Sequence, residues 1–243
     1  MINALITVRS KSTRLPNKCF LSFGELTVVE HVIARAKHAN LRPIICTTKN
    51  AEDKKIVELS KKHNIDYFCG SEINKLKRWN DCCLHYNLKS FHTVDADDPF
   101  FCSDEVMRSH ELLLTGFDMV TPSPSSSNGG ATVGYSLTSK IINRACKSID
   151  DHTDTEMMWS FLERIKGIKI YKLNDPKDYI IRERMTLDYK EDYIKLLEVL
   201  KLVGPLATRQ EISDCLMINP KLNDINSFRN KEWKKNQDDK SFK

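Results

Sequence analysis

The sequence predicts an α/β protein built on a single mixed, mostly parallel sheet flanked by helices. Short apolar runs alternate with longer amphipathic stretches through most of the chain. This alternation is typical of strands joined by crossover helices, which make successive strands parallel. The 243 residues, 40% of them hydrophobic and 29% charged, can bury a large core.

The predicted elements follow in chain order from this alternation. Strands are predicted at the short apolar runs 4–8, 43–48, 65–69, 90–95, 118–121, 131–137, 168–173 and 184–187. Helices are predicted where apolar residues recur every three or four positions, at 26–39, 51–63, 75–87, 104–114, 139–147, 155–164, 190–202 and 209–217. The segment 122–130 is rich in Pro, Ser and Gly and is predicted to be an irregular loop.

We predict one domain over residues 1–229, because neither a linker nor an internal repeat divides the chain. Residues 230–243 are polar and charged, and we predict a frayed tail there. There is no apolar run of bilayer-spanning length and no secretory signal pattern at the start, which favours a cytoplasmic protein. The eight cysteines form no C-x-x-C pair and are expected to be reduced, mostly buried thiols.

The most informative segment directly follows the first predicted strand. Ten residues there, 9–18, hold four cations and three hydroxyls: Arg9, Lys11, Arg14 and Lys18, with Ser10, Ser12 and Thr13. In an open α/β sheet, ligands bind outside the carboxyl ends of the strands. Arginine and lysine fixed at that position suit a polyanion such as a triphosphate. A solvated basic loop is the alternative, and the position after a strand argues against it.

Two groups of carboxylates follow later predicted strands. Asp95, Asp97 and Asp98 stand within four residues after the strand at 90–95. Acids so close together repel each other unless a cation lies among them, and a hard cation such as Mg²⁺ prefers oxygen ligands. Asp188, after the strand predicted at 184–187, is a second candidate. The alternatives are a solvated loop for the first group and a helix-start acid for Asp188.

The segment R-S-K-S-T-R-L-P-N-K at residues 9–18 resembles the amino-terminal motif of the CTP-dependent cytidylyltransferases, which include the CMP-Kdo and CMP-acylneuraminate synthetases. The spore-coat polysaccharide cytidylyltransferase-like proteins look most similar. Further matches follow in order at 26–34, 46–53, 69–79, 94–99 and 185–192. The resemblance implies the nucleotide-diphospho-sugar transferase (Rossmann-like) fold. It also implies transfer of CMP from CTP to an anionic acceptor with release of pyrophosphate, for surface glycoconjugate biosynthesis.

The resemblance also implies roles for individual residues. The catalytic set would be Arg9, Arg14, Lys18, Asp97 and Asp188. Asp97 and Asp188 would hold Mg²⁺. The nucleotide would be bound by Arg9, Ser12, Arg14, Lys18, Ser71, Glu72 and Arg78. Members of the family are often homodimers, so a homodimer is expected here.

The choice of nucleotide rests on the type of loop. Sugar-1-phosphate nucleotidyltransferases use a glycine-rich loop, whereas this chain has no glycine before Gly24. Side-chain cations therefore have to replace backbone donors, as in the cytidylyltransferases. The motifs G-x-G-x-x-G and G-x-x-x-x-G-K-[ST] are both absent, which argues against a Rossmann dehydrogenase and a P-loop NTPase.

The acceptor region departs from the family pattern. Gly134 stands where spore-coat-like proteins carry an acid, and Met157 stands where a histidine is typical. The acceptor is therefore left open between a 2-keto sugar acid, a sugar phosphate and a phosphonate. The candidates for its pocket are Asn128, Gly129, Gly130, Tyr135 and Glu156.

Two other functions are weighed against this one. The altered acceptor region permits a non-catalytic CTP-binding relative. The net charge of +5 and the basic tail permit a module that binds an anionic polymer, but acids interrupt the tail's positive charge, so no nucleic-acid partner and no membrane partner are expected. The combination of cations and metal-type acids favours the enzyme over both.

Overall fold

The computed structural model describes residues 1–177 and 182–241. The strands are β1 (Asn3–Thr7), β2 (Ser22–Phe23), β3 (Leu26–Thr27), β4 (Arg42–Thr48), β5 (Asp66–Gly70), β6 (Ser90–Asp95), β7 (Met119–Thr121), β8 (Ser136–Thr138) and β9 (Ile170–Lys172). The helices are α1 (Val28–His38), α2 (Lys54–Lys62), α3 (Lys75–His85), α4 (Ser103–Leu114), α5 (Ser139–Cys146), α6 (Trp159–Leu162), α7 (Lys190–Val203), α8 (Arg209–Ile218) and α9 (Asn230–Ser241).

Seven of these strands form one mixed sheet in the order β5-β4-β1-β6-β8-β7-β9. β5, β4, β1 and β6 run parallel to each other, as do β7 and β9, whereas β8 is antiparallel to both β6 and β7. β2 and β3 form a separate small antiparallel pair. The predicted fold class, a mostly parallel mixed sheet with flanking helices, is confirmed.

Consecutive residues of β1 face opposite sides of the sheet, and each side is covered by helices. Ile6 lies in one core cluster with Val29 of α1, and Leu5 lies in another with Leu76 of α3 and Ile141 of α5. A third cluster joins α7 and α8 to the β2–β3 pair. Apolar burial on both faces explains why the parallel strands are almost continuously hydrophobic.

The register of the central strands brings two sequence segments to the same edge of the sheet. Thr7, the last residue of β1, is paired with Asp95, the last residue of β6. The segments 9–18 and 96–98 therefore leave the sheet side by side at its carboxyl edge, where α/β proteins bind their ligands. Among the helices of the described part of the chain, none combines the length and apolar character needed to span a bilayer.

The predicted strand at 131–137 is wrong in all but its last two residues. Ala131 adopts a left-handed conformation with φ of 55°. The amides of Thr132 and Val133 then donate to the Ser126 hydroxyl instead of a neighbouring strand. Strand β8 begins only at Ser136, where those local bonds end.

Two further element predictions need correction. The helix predicted at 155–164 is confined to α6, because the Asp154 carboxylate accepts from the Glu156 amide and holds a turn before it. The segment predicted as a strand at 184–187 is irregular: Met185 N donates to Gly129 O and Leu187 N to Asp97 O, two different segments. Single bonds to two partners do not make a strand.

The end of the chain also differs from the prediction. The sequence predicts a frayed tail from residue 230, whereas the structure places α9 at Asn230–Ser241. Two side chains of this helix reach the body of the protein: Trp233 Nε1 donates to Asp188 Oδ2 at 2.9 Å, and Asn236 Nδ2 donates to the Tyr189 hydroxyl at 3.0 Å. Polar contacts, which apolar periodicity does not register, hold the helix in place.

Candidate active site

A cleft of about 360 Å³ opens at the carboxyl ends of β1 and β6. Its lining residues come from the segment 7–19, the beginning of α3, the segment 95–97 and two later positions: Thr7, Val8, Arg9, Lys11, Ser12, Thr13, Arg14, Lys18, Cys19, Glu72, Lys75, Arg78, Asp95, Ala96, Asp97, Glu156 and Asp188. Every member of the predicted catalytic set is among them.

Lys18 is the central contact of the cleft. Its ammonium donates to Asp97 Oδ2 at 2.6 Å, to the Leu187 carbonyl at 2.8 Å and to Asp188 Oδ1 at 3.0 Å. Burial disfavours its charge, but the two carboxylates more than compensate and raise the pKa of Lys18. Lys18 is therefore a fixed cation that joins three segments distant in the sequence.

Asp188 is held by three donors. Besides Lys18, Arg14 donates to Oδ1 at 2.6 Å and Trp233 donates to Oδ2 at 2.9 Å. Burial alone would raise the pKa of this carboxyl, but Lys18 and Arg14 lower the pKa of Asp188 to about 2. Asp188 is thus ionised throughout the physiological range.

A buried network fixes the backbone on which Asp188 stands. The Asp192 carboxylate accepts from the amides of Asp188 and Tyr189 at 2.9 and 2.8 Å and from Arg184 at 2.6 Å. Asn226 donates to its other oxygen at 3.0 Å. Asp192 is fully buried, so this ion pair is shielded from solvent.

The root of the 9–18 loop is anchored by Asp53, whose role sequence reasoning missed. The amide and the hydroxyl of Ser10 both donate to Asp53 Oδ1 at 2.7 Å, and Thr48 donates to Oδ2. Further along the loop, Asn17 has a left-handed conformation with φ of 56°. Its backbone N–H donates to the Ser10 carbonyl oxygen at 3.3 Å. The loop is therefore tied at both ends, which presents Arg14 and Lys18 to the cleft.

Lys75, at the start of α3, is a cleft residue that sequence reasoning missed. Its ammonium lies 3.3 Å from Asp95 Oδ1 and over the Trp79 ring at 5.1 Å. Trp79 is itself fixed by a bond from Nε1 to Thr7 Oγ1 at 3.1 Å. The signal that was available is its place at the first turn of the predicted helix, within the 69–79 segment that matches the family.

The predicted nucleotide-binding residues of the 71–78 segment have different environments. Arg78 donates to the carbonyls of Ser71 and Glu72, and so it ties the loop before α3. Glu72 and Arg78 line the cleft, whereas the Ser71 hydroxyl accepts from the Asn74 amide and is not among the lining residues. Burial lowers the pKa of Arg78.

One of the five predicted acceptor residues lines the cleft. Glu156 does so, 3.4 Å from Arg9. The Tyr135 ring stacks on Trp159 with centroids 6.5 Å apart, in the apolar layer behind the cleft. The segment 128–130 packs elsewhere: Gly129, with φ of 99°, lies against Arg184. The acceptor roles of these residues remain predictions.

Gly134 stands where the resemblance led us to look for an acid. A Cβ at this position would lie 2.1 Å from the Thr93 carbonyl oxygen and 2.4 Å from its hydroxyl. The close approach of the backbone to β6 therefore excludes any side chain. This geometry explains why the sequence carries glycine here.

The acids at the end of β6 and directly after it are arranged as a divalent cation would require. Asp95, Asp97 and Asp98 each offer a carboxylate oxygen within 4.8 Å of the others. Burial and the neighbouring carboxylates raise the pKa of Asp98 well above its usual value, which indicates crowded negative charge. An all-oxygen set of this kind suits Mg²⁺. The predicted pair of Asp97 and Asp188 is bridged by Lys18, and its metal role stays a prediction.

This architecture defines the class of protein: the chain has the nucleotide-diphospho-sugar transferase fold, which its similarity to solved structures confirms. A cytidylyltransferase from Leptospira borgpetersenii serovar Hardjo-bovis superposes with a TM-score of 0.80 at 21% identity, over 91% of this chain and 96% of that one. A CMP:2-keto-3-deoxy-manno-octonic acid synthetase complexed with CTP superposes with a TM-score of 0.63 at 12% identity, over 82% and 98%.

Sequence comparison relates the first part of the chain to one family. Residues 3–117, which include the 9–18 loop and the 95–98 acids, match the family model described as Cytidylyltransferase. An uncharacterised protein from Methanocaldococcus jannaschii is 28% identical over 236 residues, covering 93% of this chain and 94% of that protein. The predicted resemblance to the cytidylyltransferases is confirmed, whereas a particular similarity to the spore-coat proteins stays a prediction.

Proposed function

We propose that this protein transfers CMP from CTP to an anionic acceptor and releases pyrophosphate. The observation that carries the proposal is the convergence, at the carboxyl ends of β1 and β6, of the Arg14 and Lys18 cations with the carboxylates of Asp97 and Asp188. Such a site supplies charge neutralisation and positioning, which are the main requirements of phosphoryl and nucleotidyl transfer.

The proposed roles follow from position in the cleft. Arg9, Arg14 and Lys18 hold the triphosphate and stabilise the charge on the leaving pyrophosphate, while Ser12 adds a hydroxyl. Asp97 and Asp188 would hold Mg²⁺, with the carboxylates of Asp95 and Asp98 close to that of Asp97. When bound, Mg²⁺ supplies Lewis-acid stabilisation of the charge that develops on the phosphates.

Support for cytidine comes from the comparisons and from the 9–18 loop. The 3–117 match is to a cytidylyltransferase family, and the similar synthetase structure contains CTP. The loop itself offers side-chain cations and no glycine, as expected for this family. We extend the proposal to surface glycoconjugate biosynthesis in the cytoplasm and to a homodimer, on the strength of the resemblance.

The proposed acceptor is a 2-keto sugar acid or a related sugar or phosphonate. A cation not assigned to the triphosphate also lines the cleft: Lys75 lies 3.3 Å from Asp95 Oδ1. An anionic acceptor would be attracted to a cleft lined by such cations. The alternative of a CTP-binding relative without turnover rests on the glycine at position 134.

The test measures pyrophosphate release from ATP, CTP, GTP and UTP with Mg²⁺, across a panel of keto-sugar acids, sugar phosphates and phosphonates. The variants are Asp97→Asn and, as a matched control outside the cleft, Asp104→Asn. Release that requires CTP, one acceptor and Asp97 would support the proposal and name the substrate. Tight CTP binding without release from any acceptor would support the non-catalytic alternative, and no CTP binding at all would overturn both.

A further inference from the structure

Helix α9 contacts the candidate active site through Trp233. The indole N–H donates to Asp188 Oδ2 at 2.9 Å, while Arg14 and Lys18 contact Oδ1 of the same carboxylate. The two oxygens of Asp188 are thus divided between the cleft cations and the helix. A carboxylate held from both sides cannot rotate about its last bond without losing one of these contacts.

Three further contacts fix the position of α9 relative to Asp188. Arg184 Nε donates to Asn230 Oδ1 at 3.1 Å, at the start of the helix. Asn236 Nδ2 donates to the hydroxyl of Tyr189, the residue directly after Asp188. Arg229, directly before the helix, pairs with Glu191 at 3.0 Å. All three join the helix or its leading residue to the segment that carries Asp188.

The loop 126–130 closes the space behind Trp233. Gly129 has φ of 99°, and a Cβ there would lie 3.4 Å from the Trp233 ring and 3.0 Å from the Arg184 side chain. The indole is therefore confined between this loop and the Asp188 carboxylate. A smaller side chain at position 233 would leave a gap beside Oδ2, and only the contacts of Arg14 and Lys18 with Oδ1 would then orient the Asp188 carboxylate.

We infer that Trp233 is a positioning residue of the active site, which holds Asp188 so that Oδ1 faces Lys18, Arg14 and the cleft. This inference rests on the proposed function, in which Asp188 acts at the nucleotide and its metal. Residues that orient a ligating carboxylate by hydrogen bonding commonly affect metal affinity by 10–100-fold when they are lost. On this reading α9 is part of the active site, although its sequence predicts a frayed tail.

The binding experiment compares wild type, Trp233→Phe and, as a control on the exposed side of the same helix, Lys235→Ala. Calorimetry measures CTP binding with and without Mg²⁺. We expect Trp233→Phe to weaken Mg²⁺-dependent CTP binding about tenfold and to change metal-free binding less than about twofold. Lys235→Ala should match wild type. Equal binding by Trp233→Phe and wild type in Mg²⁺ would overturn the inference, and so would equal weakening of both kinds of binding.

A second experiment tests the contact without relying on CTP. The chain has three tryptophans, and Trp233→Phe identifies the Trp233 indole signal in an ¹H–¹⁵N spectrum. Asp188→Asn should shift that signal more than those of Trp79 and Trp159. If wild type binds no CTP, the proposed function fails, and this shift still shows whether Trp233 holds Asp188. An indole signal that Asp188→Asn leaves in place would overturn the inference.

Discussion

Lys18 Nζ donates to Asp97 Oδ2 at 2.6 Å, although 79 positions separate the two residues in the sequence. The contact forms because β1 and β6 are parallel neighbours that end in register, with Thr7 beside Asp95. Their following segments leave the sheet together, one carrying cations and the other carboxylates. The site is therefore assembled by the topology of the sheet rather than by any local motif.

Removing the shared ammonium should weaken both the fold and nucleotide binding. In Lys18→Met, Asp97 loses its partner and Asp188 keeps only Arg14 and Trp233, so we expect the free energy of unfolding to fall by about 3 kcal/mol. CTP affinity should fall at least about tenfold, because one phosphate contact is lost. Urea unfolding and calorimetry measure the two effects. Lys11→Met, at an exposed lysine of the same loop, is the control and should change stability by less than about 0.5 kcal/mol.

The buried pair of Arg184 and Asp192 should be among the most sensitive sites for stability. Arg184 is only 3% exposed. Asp192→Asn would leave its buried guanidinium without a carboxylate partner. We expect a loss of about 3–5 kcal/mol in the free energy of unfolding. Glu198→Gln, which breaks an exposed pair with Lys201, should cost less than about 1 kcal/mol. Similar losses in the two variants would contradict the structural role given to Asp192.

Gly134→Ala should be much more harmful than an alanine at another glycine. The new Cβ would lie 2.1 Å from the Thr93 carbonyl, so β6 or the 131–135 segment must shift. Gly167→Ala, where φ is 72° and nothing lies within 4 Å, is the comparison and should cost about 1–2 kcal/mol. A denaturant series on both variants should show at least about 2 kcal/mol more destabilisation for Gly134→Ala. Equal losses of unfolding free energy in the two variants would contradict this, because they would mean that the backbone around position 134 can shift at little cost.

Stability should fall with acidification because of the buried imidazole of His92. Its Nδ1 bonds the Ser136 hydroxyl and its Nε2 accepts from Gly134 N at 3.2 Å, so it is neutral. Burial lowers the pKa of His92 from 6.5 to about 3. The associated stability is therefore complete above pH 6.5 and is lost as pH falls toward the lowered pKa.

The size of this effect can be measured by urea unfolding at several pH values. His92 should account for a loss of about 2 kcal/mol between pH 6.5 and 5. His92→Gln should show a correspondingly flatter dependence over that range, whatever its stability at neutral pH. His152→Gln, at an exposed histidine, should follow the wild-type dependence. A slope unchanged in His92→Gln would rule out His92 as the titrating group.

The strands β1, β4, β5 and β6 of the main sheet could be predicted because each is a short apolar run and amphipathic helices alternate with them. The small β2–β3 pair was missed, and β3 lies within the helix predicted at 26–39. The meeting of the 9–18 loop with the acids at 95–98 was also predictable, since parallel neighbours share a carboxyl edge. The irregular conformation of the segment at 184–187 could not be predicted. It depends on the contact with Asp192 and on single backbone hydrogen bonds to Gly129 and Asp97. Apolar periodicity registers burial but not which backbone group is the partner.

The parts of the site that were missed are held by polar contacts between distant segments. α9 has no apolar face, and its position depends on bonds such as the one from Trp233 to Asp188. Lys75 is placed by Asp95 and the Trp79 ring. The residues next to Trp233 and Lys75 in the sequence do not indicate which distant side chains these two contact. Gly134 departs visibly from the family pattern, but its cause, the Thr93 carbonyl, lies in another segment of the chain.

The bridge from Lys18 to Asp97 and Asp188 places a cation of the chain itself between the two predicted metal-binding acids. The two carboxylates already hold a counter-ion that belongs to the chain, so they do not have to recruit one from solvent. In the proposed function, a triphosphate that attracts this ammonium would free Asp97 and would leave Asp188 in contact with Arg14 and Trp233. Metal affinity should accordingly be low in the absence of nucleotide and rise with it, because the lysine and the ion compete for the same oxygens.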